Sequence, residues 1–460
     1  MVSKEYINEV ITSNGVEIEN LLNSNQDTKT IYDVLKKIGR LPGGFNGDLF
    51  IPFIEHKNHN VRLLTVKNIG KLSDDKYLKL LSNVALNDPD SMVRREAISS
   101  IGRMRSKKSI EILVELLQED DPKMVLQAIR GLLVFKNIDR IKEKLRLLVS
   151  HPNELVQAVI EKEFETHKKE TYKSLSHSAS FDFMKNTVVG GDFLEISKSI
   201  PDDSIHLTFT SPPYYNARDY SIYKSYKEYL HFLNNVFNEV HRITKEGRFF
   251  IVNTSPIIIP RVSRQHSSKR YPIPFDIHYF LVKMGWEFID DIIWVKPEAS
   301  VKNRNAGFLQ HRKPLAYKPN AITEYIMVYR KKTTKLIDWN MRKYDAETVE
   351  NSKIRVDYET SNVWSIDPTF DRVHSAVFPY ELCRRVISFY SFEGDLVLDP
   401  FAGSGTVGKA AQKLGRYFFL TEIAEKYIKR IKTNLDSLPL LDKNAPKFMN
   451  LKDFIKTIDG

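Results

Sequence analysis

The hydrophobic pattern of the chain changes character near residue 168. Before it, apolar residues recur three and four positions apart, the period of helices that bury one face. Four stretches open alike, at Asn60-Val61-Arg62, Met92-Val93-Arg94, Met124-Val125-Leu126 and Leu155-Val156-Gln157, and their valines stand 32, 32 and 31 residues apart. A shorter apolar helical pattern precedes each one, at Leu49–Ile54, Tyr77–Ala85, Ile110–Leu117 and Ile141–Val149. A polar turn lies between, twice marked by Asp-Pro, at Asp88-Pro89 and Asp121-Pro122. Two helices per unit at this period predict an all-α solenoid over residues 1–167, each unit burying its apolar face on the next. A helical bundle with coincident spacing is the plainer alternative.

The polar stretch that opens at Lys168 follows neither period and reads as a linker, 168–184. Beyond it, short β-branched and aromatic runs alternate with helical ones: Ile205–Phe209, Arg248–Asn253, Phe288–Val295, Tyr325–Tyr329, Leu396–Leu398 and Tyr417–Leu420. Strands separated by helices predict a doubly wound α/β sheet, largely parallel and covered on both faces, over residues 185–437. Residues 331–372 fit neither period and read as an inserted recognition region or long loop, and 438–460 as a tail.

Charge sharpens this division. Residues 1–184 carry 28 basic and 26 acidic side chains, whereas 260–343 carry 17 and 7, so the second region holds most of the net +11 and suits a polyanion. A solvated lysine-rich face is the simpler reading of the same numbers. The lone Cys383 permits neither an intrachain disulfide nor a cysteine metal cluster. The opening residues MVSKEYINEV have no apolar run, and nowhere do about 18 apolar residues run together. Neither a signal peptide nor a membrane span is expected, and a cytoplasmic location is.

Candidate chemistry sits in two motifs. The apolar strand Leu396–Asp399 leads into Pro400-Phe401-Ala402-Gly403-Ser404-Gly405-Thr406-Val407-Gly408 and then a helical pattern from Lys409. Glycines there let the backbone turn tightly and approach a ligand. By letters the loop satisfies the dinucleotide pattern G-x-G-x-x-G, but it fails the phosphate-loop pattern, because Ala410 stands where a magnesium-holding Ser or Thr is needed. Glu422, 19 residues after Gly403 at the end of the next apolar strand, can accept hydrogen bonds from ribose hydroxyls.

The second motif is Thr210-Ser211-Pro212-Pro213-Tyr214, directly after the apolar strand. Two prolines fix φ and remove two donors, leaving rigid carbonyls. An exocyclic amine attacks poorly while its lone pair is delocalised into the base, unless acceptors hold its hydrogens. The Ser211 hydroxyl and Pro212 carbonyl could supply them, with Tyr214 flat against an extruded base. Read alone, Pro-Pro-Tyr would be an exposed turn or a recognition peptide.

These motifs carry a resemblance. Gly191-Asp192, TSPPY at 210–214, Trp294-Val295-Lys296-Pro297, His374-Ser375-Ala376-Val377-Phe378-Pro379, DPFAGSGT at 399–406 and Glu422 together resemble the amino-methyltransferases of DNA. The match over residues 186–435 is to the permuted group, in which the catalytic motif precedes the cofactor motif. The helical units resemble HEAT repeats. The first resemblance implies a seven-stranded methyltransferase sheet binding S-adenosylmethionine. Asp399, Phe401, Ala402, Gly403, Ser404, Gly405 and Thr406 would wrap this cofactor, Glu422 would hold its ribose, and Asp192 with His374 and Phe378 would close the pocket. His374-Ser375-Ala376 departs from the commoner His-Pro-Ala. The implied catalytic residues are Ser211, Pro212, Pro213 and Tyr214. Ser in the first tetrapeptide position is typical of enzymes making N4-methylcytosine, and Asp or Asn of those making N6-methyladenine. The resemblance therefore implies a site-specific DNA methyltransferase acting on cytosine N4, with adenine N6, which a hydroxyl does not exclude, as the alternative. A thiolate mechanism at C5 is not expected, since Cys383 lies in a helical pattern without a Pro-Cys motif.

The expected partner is double-stranded DNA. Arg261, Arg264, Lys269 and Arg270 form one candidate phosphate grip and Lys302, Arg304, Arg312 and Lys313 a second, within insertions 256–275 and 298–320. Residues 331–372, with Trp339, Arg342, Lys343 and Arg355, are the third candidate. The solenoid is nearly neutral, which argues against it as the main polyanion grip; its concave face could add DNA contacts or bind a partner such as a cognate restriction endonuclease. Methylation of RNA or of a protein amide is a competing reading, as is a non-catalytic scaffold, which two complete motifs argue against.

Overall fold

The structure is a computed structural model that describes residues 3–13, 20–22, 27–164, 176–215, 223–259, 263, 265–266, 269–300, 314, 321–355, 358–369, 377–435 and 445–459. The chain divides into two compact units, Met1–Lys169 and Glu170–Gly460.

The first unit stacks helix pairs. The four repeated valines are fully buried near the starts of helices His59–Leu72, Ser91–Met104, Pro122–Leu132 and Glu154–Phe164. Each start has its cap: side chains of Asn58, Asp90, Asp121 and Asn153 accept backbone N–H groups of the first turn. The polar turns seen in the sequence are therefore helix-stop and helix-start signals. Adjacent repeats approach closely at glycines. A Cβ on Gly102 would lie 2.9 Å from the Gly131 backbone, so the two helices touch main chain to main chain. Ion pairs tie successive repeats, Arg62 to Asp88 at 2.8 Å and Arg95 to Asp121 at 2.6 Å.

The second unit is built on one large sheet. Its strands are β1 Thr187–Gly190, β2 Ile205–Thr210, β3 Thr244–Thr254, β6 Trp286–Val295, β7 Thr323–Lys331, β8 Val363–Ser365, β9 Leu396–Asp399, β10 Tyr417–Glu422 and β11 Lys447–Asn450, while β4 Ile257–Ile259 and β5 Lys269–Tyr271 form a separate hairpin. The nine strands lie in the order β11-β1-β10-β9-β2-β3-β7-β6-β8. Only β7 runs against its neighbours β3 and β6. The expected seven strands are present, with β11 and β8 added at the two edges. Strands β2 and β9 are buried along their whole length because helices cover both faces. From β9 the chain returns to β10 on one side, and from β2 to β3 on the other. The gap between β2 and β9 is thus the topological switch point, where ligands of such sheets bind at the carboxyl ends.

Residues 176–184, at the end of the stretch read as a linker, lie on this unit. The Lys245 ammonium donates to the carbonyls of Ser176, His177 and Ala179. The tail also packs: β11 pairs with β1 and Phe454 is fully buried. Among the described residues no helix is long and apolar enough to cross a membrane.

Candidate active site

The glycine loop and the tetrapeptide meet at the switch point through one carboxylate. Asp399 ends β9, and its Oδ1 accepts from the Phe401 backbone N–H at 3.0 Å and from the hydroxyl of Thr210, the last residue of β2, at 2.6 Å. Burial pushes the Asp399 carboxyl up to about 7, against the pull of those two hydrogen bonds.

The loop is shaped by its own backbone. Gly403 and Gly405 have φ of 51° and 77°, in the left-handed region. The Gly403 N–H donates to Glu422 Oε2 at 2.9 Å, and the Ala424 N–H to Oε1 at 2.8 Å. Glu422 ends β10, is 9% exposed, and burial raises its pKa. Thr406 opens the helix Thr406–Lys413, with Ser404 Oγ 3.2 Å from its hydroxyl. The third glycine serves packing, since a Cβ on Gly408 would lie 2.7 Å from the Leu420 side chain of β10. Ala402 is buried, and the half-buried Phe401 ring lies 6.0 Å from Phe232. On the other side of β10, Gly190 of β1 pairs with Glu422, and the exposed Asp192 caps the helix Phe193–Ser197 through the Leu194 N–H. Asp192, Glu422 and residues 401–406 therefore share one edge. The Glu422 oxygens accept backbone N–H groups of the loop and of the turn after β10 and have lone pairs to offer a diol, beside a loop rich in glycine. That donor and acceptor set fits the nucleoside half of S-adenosylmethionine.

In the tetrapeptide, Pro212 is buried and Ser211, Pro213 and Tyr214 are half-buried. The Tyr214 hydroxyl donates to Glu324 Oε2 at 3.0 Å. Asn253 Nδ2 donates to the same oxygen and lies 3.4 Å from both Ser211 Oγ and the Tyr214 hydroxyl. Lys296 ion-pairs with the other Glu324 oxygen and stands over the Trp294 ring at 4.4 Å. Burial and the Glu324 charge hold the Tyr214 phenol well above its ordinary pKa, so it stays a donor. Asn253 and Glu324 escape a reading of the sequence. Their signal is faint: Asn253 begins a polar run, 253–255, at the end of an apolar strand, and Glu324 is an acid at the start of one. Because β7 is antiparallel, its start shares an edge with the carboxyl ends of β2 and β3.

Beyond the tetrapeptide, the Tyr215 ring packs on Tyr226 and Tyr271 at 5.4 and 5.1 Å. Tyr271 belongs to the β4–β5 hairpin, which presents Lys269 and Arg270 to solvent. Those two cations are thereby tied to the loop after β2. Arg261, Arg264, Lys302, Arg304, Arg312, Lys313 and His374 lie outside the described residues. Phe378 stacks on Phe209 of β2, centroids 4.8 Å apart. Several basic residues of 260–343 are spent internally: Lys331 pairs with Asp203, Lys335 with Glu246 and Arg342 with Asp338. The segment 338–344 lies at the opposite, amino-terminal edge of the sheet. There Asn340 Nδ2 donates to the Gly247 carbonyl at 2.7 Å and the Tyr344 hydroxyl to Asp395. Cys383 is fully buried, with burial and the Asp399 charge raising its pKa far above the ordinary value, so it is a packed thiol.

Comparison with known proteins agrees with this geometry. Residues 205–433 match the family model described as DNA methylase, and 47–133 match HEAT repeats. The type II methyltransferase M.ScaI of Streptomyces caespitosus is 31% identical over 248 residues, covering 52% of this chain and 77% of that protein. The type II beta methyltransferase M.BslI of Bacillus sp. (strain NEB-606) is 30% identical over 253 residues, covering 52% of this chain but only 26% of the relative. A putative DNA modification methylase of Thermus thermophilus, TTHA0409, solved complexed with S-adenosyl-L-methionine, is 27% identical, with 57% of this chain and 97% of that one covered and a TM-score of 0.45. With a DNA methylase domain on a glycine-loop sheet and HEAT repeats before it, the chain belongs to the N6/N4 DNA methylases.

Proposed function

We propose that the protein transfers a methyl group to the exocyclic N4 of cytosine in double-stranded DNA, as the modification enzyme of a restriction-modification system. The observation that carries the reading is the Thr210–Asp399 hydrogen bond, which sets the acceptor tetrapeptide beside the glycine loop. S-adenosylmethionine supplies an electrophilic methyl group when bound. Glu422 and Asp192 hold ribose and neighbouring polar groups, and the backbone from Phe401 to Thr406 lines the cofactor cleft. Ser211 Oγ and the Pro212 carbonyl take the hydrogens of the target amine, which frees the nitrogen lone pair. The amine would take the methyl carbon as its bond to the cofactor sulfur breaks, and the surplus proton would pass to solvent on the Ser211 side, the serine hydroxyl serving as hydrogen-bond acceptor and not as the base. Tyr214, fixed through its hydroxyl, gives a flat wall for a flipped base. Lys269, Arg270 and the basic residues of 261–264 and 302–313 grip phosphates. Positioning and electrostatics carry the rate, and no enzyme–base covalent bond is formed.

Ser211 favours cytosine over adenine within this family. Incubation of the full chain with duplex DNA and labelled cofactor, followed by nucleoside mass spectrometry, tests the reading. N4-methylcytosine is expected; N6-methyladenine would overturn the base assignment, and transfer to RNA or protein alone would overturn the substrate.

A further inference from the structure

Several cations of the first unit are tied to acids of the same or neighbouring helices. Besides the pairs already given, Arg94 meets Glu119 at 2.7 Å, Arg103 meets Glu96 at 2.6 Å and Arg140 meets Glu111 at 2.8 Å. Between the helices Thr28–Lys37 and His59–Leu72 cations instead gather around one concavity. A cavity of about 530 Å³ opens there, lined by Lys36, Arg40, Lys67 and Lys71 together with apolar residues, glycine and Asn68, and by no carboxylate. Lys36, Arg40 and Lys67 are exposed, and none of the four forms an ion pair with an acid among the described residues. Lys36 stands over the Tyr32 ring at 5.5 Å, a contact that leaves its charge uncancelled. Lys71 is anchored, its Nζ donating to the Ile38 carbonyl at 2.7 Å and to Asn68 Oδ1 at 2.8 Å. Lys71 is also exposed overall, but partial burial of its anchored ammonium, with the neighbouring cations Lys67 and Arg103, lowers its pKa to about 8, Glu96, already engaged by Arg103, opposing.

This is an uncompensated positive field in a near-neutral unit, concentrated in one concavity of ligand size. A structural role explains only Lys71, which satisfies carbonyls at the end of a helix. The other three exposed cations converge without an acidic partner. An isolated peptide carboxylate would leave most of that charge unmatched, whereas a nucleic-acid backbone delivers closely spaced phosphates. We propose that this cavity binds phosphates of duplex DNA and that the HEAT unit thereby grips DNA without reading its sequence. The choice of duplex DNA as the polyanion rests on the DNA methylase assignment.

The test uses the full chain carrying Lys36→Gln, Arg40→Gln and Lys67→Gln together, with Lys71 left to hold its carbonyl. Duplex binding is followed by fluorescence anisotropy across a salt series. The expected result is roughly tenfold weaker binding near 100 mM salt and a salt slope lower by about 2 to 3, at about 0.9 per lost phosphate contact. The methyl-transfer rate at saturating duplex and the unfolding midpoint should not change. Equal affinity and slope in variant and wild type would overturn the proposal. Loss of inorganic phosphate binding or of polyglutamate binding with duplex affinity intact would overturn it too, by assigning the cavity to a small anion or an acidic protein. Failure of the wild type to methylate DNA would sink the catalytic reading while leaving the salt-slope result standing.

Discussion

The phenol of Tyr214 donates to Glu324 across 3.0 Å, joining residues 110 positions apart at one edge of the sheet. The same carboxylate takes Asn253 and Lys296. One side chain from an antiparallel strand therefore fixes the tetrapeptide, the end of β3 and the residue after β6.

Removing that carboxylate should disorder the acceptor site. Glu324→Ala leaves Tyr214, Asn253 and Lys296 without their shared acceptor, and a hydrogen bond to a charged group is worth about 1.5–3 kcal/mol. Single-turnover methyl transfer should slow roughly 10- to 100-fold, with cofactor affinity within about twofold of wild type. Tyr214→Phe, which loses one contact of the set, should cost less. An unchanged rate in Glu324→Ala would make the network mere scaffolding.

Asp399 gives a pH signature. Its carboxyl is raised by burial to about 7 from an ordinary value of 3.8. Between those values the folded state keeps a proton that the unfolded state has released, so stability falls as pH rises through that window and levels off above it. Asp399→Asn keeps an oxygen for Thr210 and Phe401 and has no charge to bury. Its melting temperature should gain on wild type from about pH 4 to pH 7 and hold that gain at pH 8. A constant difference across the series would show that Asp399 titrates normally.

Much of this architecture was legible because it is periodic or local. Val61, Val93, Val125 and Val156 mark helix starts, and each follows its capping side chain by three or four residues. Buried strands such as Leu396–Asp399 are short apolar runs that stand out between turns. Strands β1, β8 and β11 did not stand out, being three or four residues long and partly polar. The Glu324 network stayed hidden because strand order, which no local pattern reveals, brings its members together. Charge misled in one respect. The basic count of 260–343 suited a polyanion, yet Lys331, Lys335 and Arg342 pair with acids of the same unit and Arg330 donates to the Gly247 carbonyl.

Cofactor affinity should depend on the loop and its acid. Glu422→Ala removes the acceptor of the Gly403 and Ala424 N–H groups and any bond to ribose, a loss of about 1.5–3 kcal/mol in binding. Gly403→Val places a branched side chain at a φ of 51°, which β-branched residues rarely adopt. Both should weaken S-adenosylmethionine binding by calorimetry, Glu422→Ala with little change in strand content by circular dichroism. Wild-type affinity in folded Glu422→Ala would remove the ribose role.

The product discriminates between mechanisms. Ser211→Ala removes an acceptor for the target amine and should lower turnover while sparing cofactor affinity. Tyr214→Ala should impair base capture as well, since stacking is worth about 1–3 kcal/mol per base. Attack through C5 of cytosine would need a thiolate, and the chain's one thiol, Cys383, is fully buried with its pKa held far up by burial. Cys383→Ser should therefore leave methylation intact, apart from a modest packing cost to stability. Nucleoside analysis of the modified duplex should return N4-methylcytosine. 5-Methylcytosine, or loss of transfer in folded Cys383→Ser, would refute direct transfer to the amine, while N6-methyladenine would keep the mechanism and reassign the base that Ser211 selects.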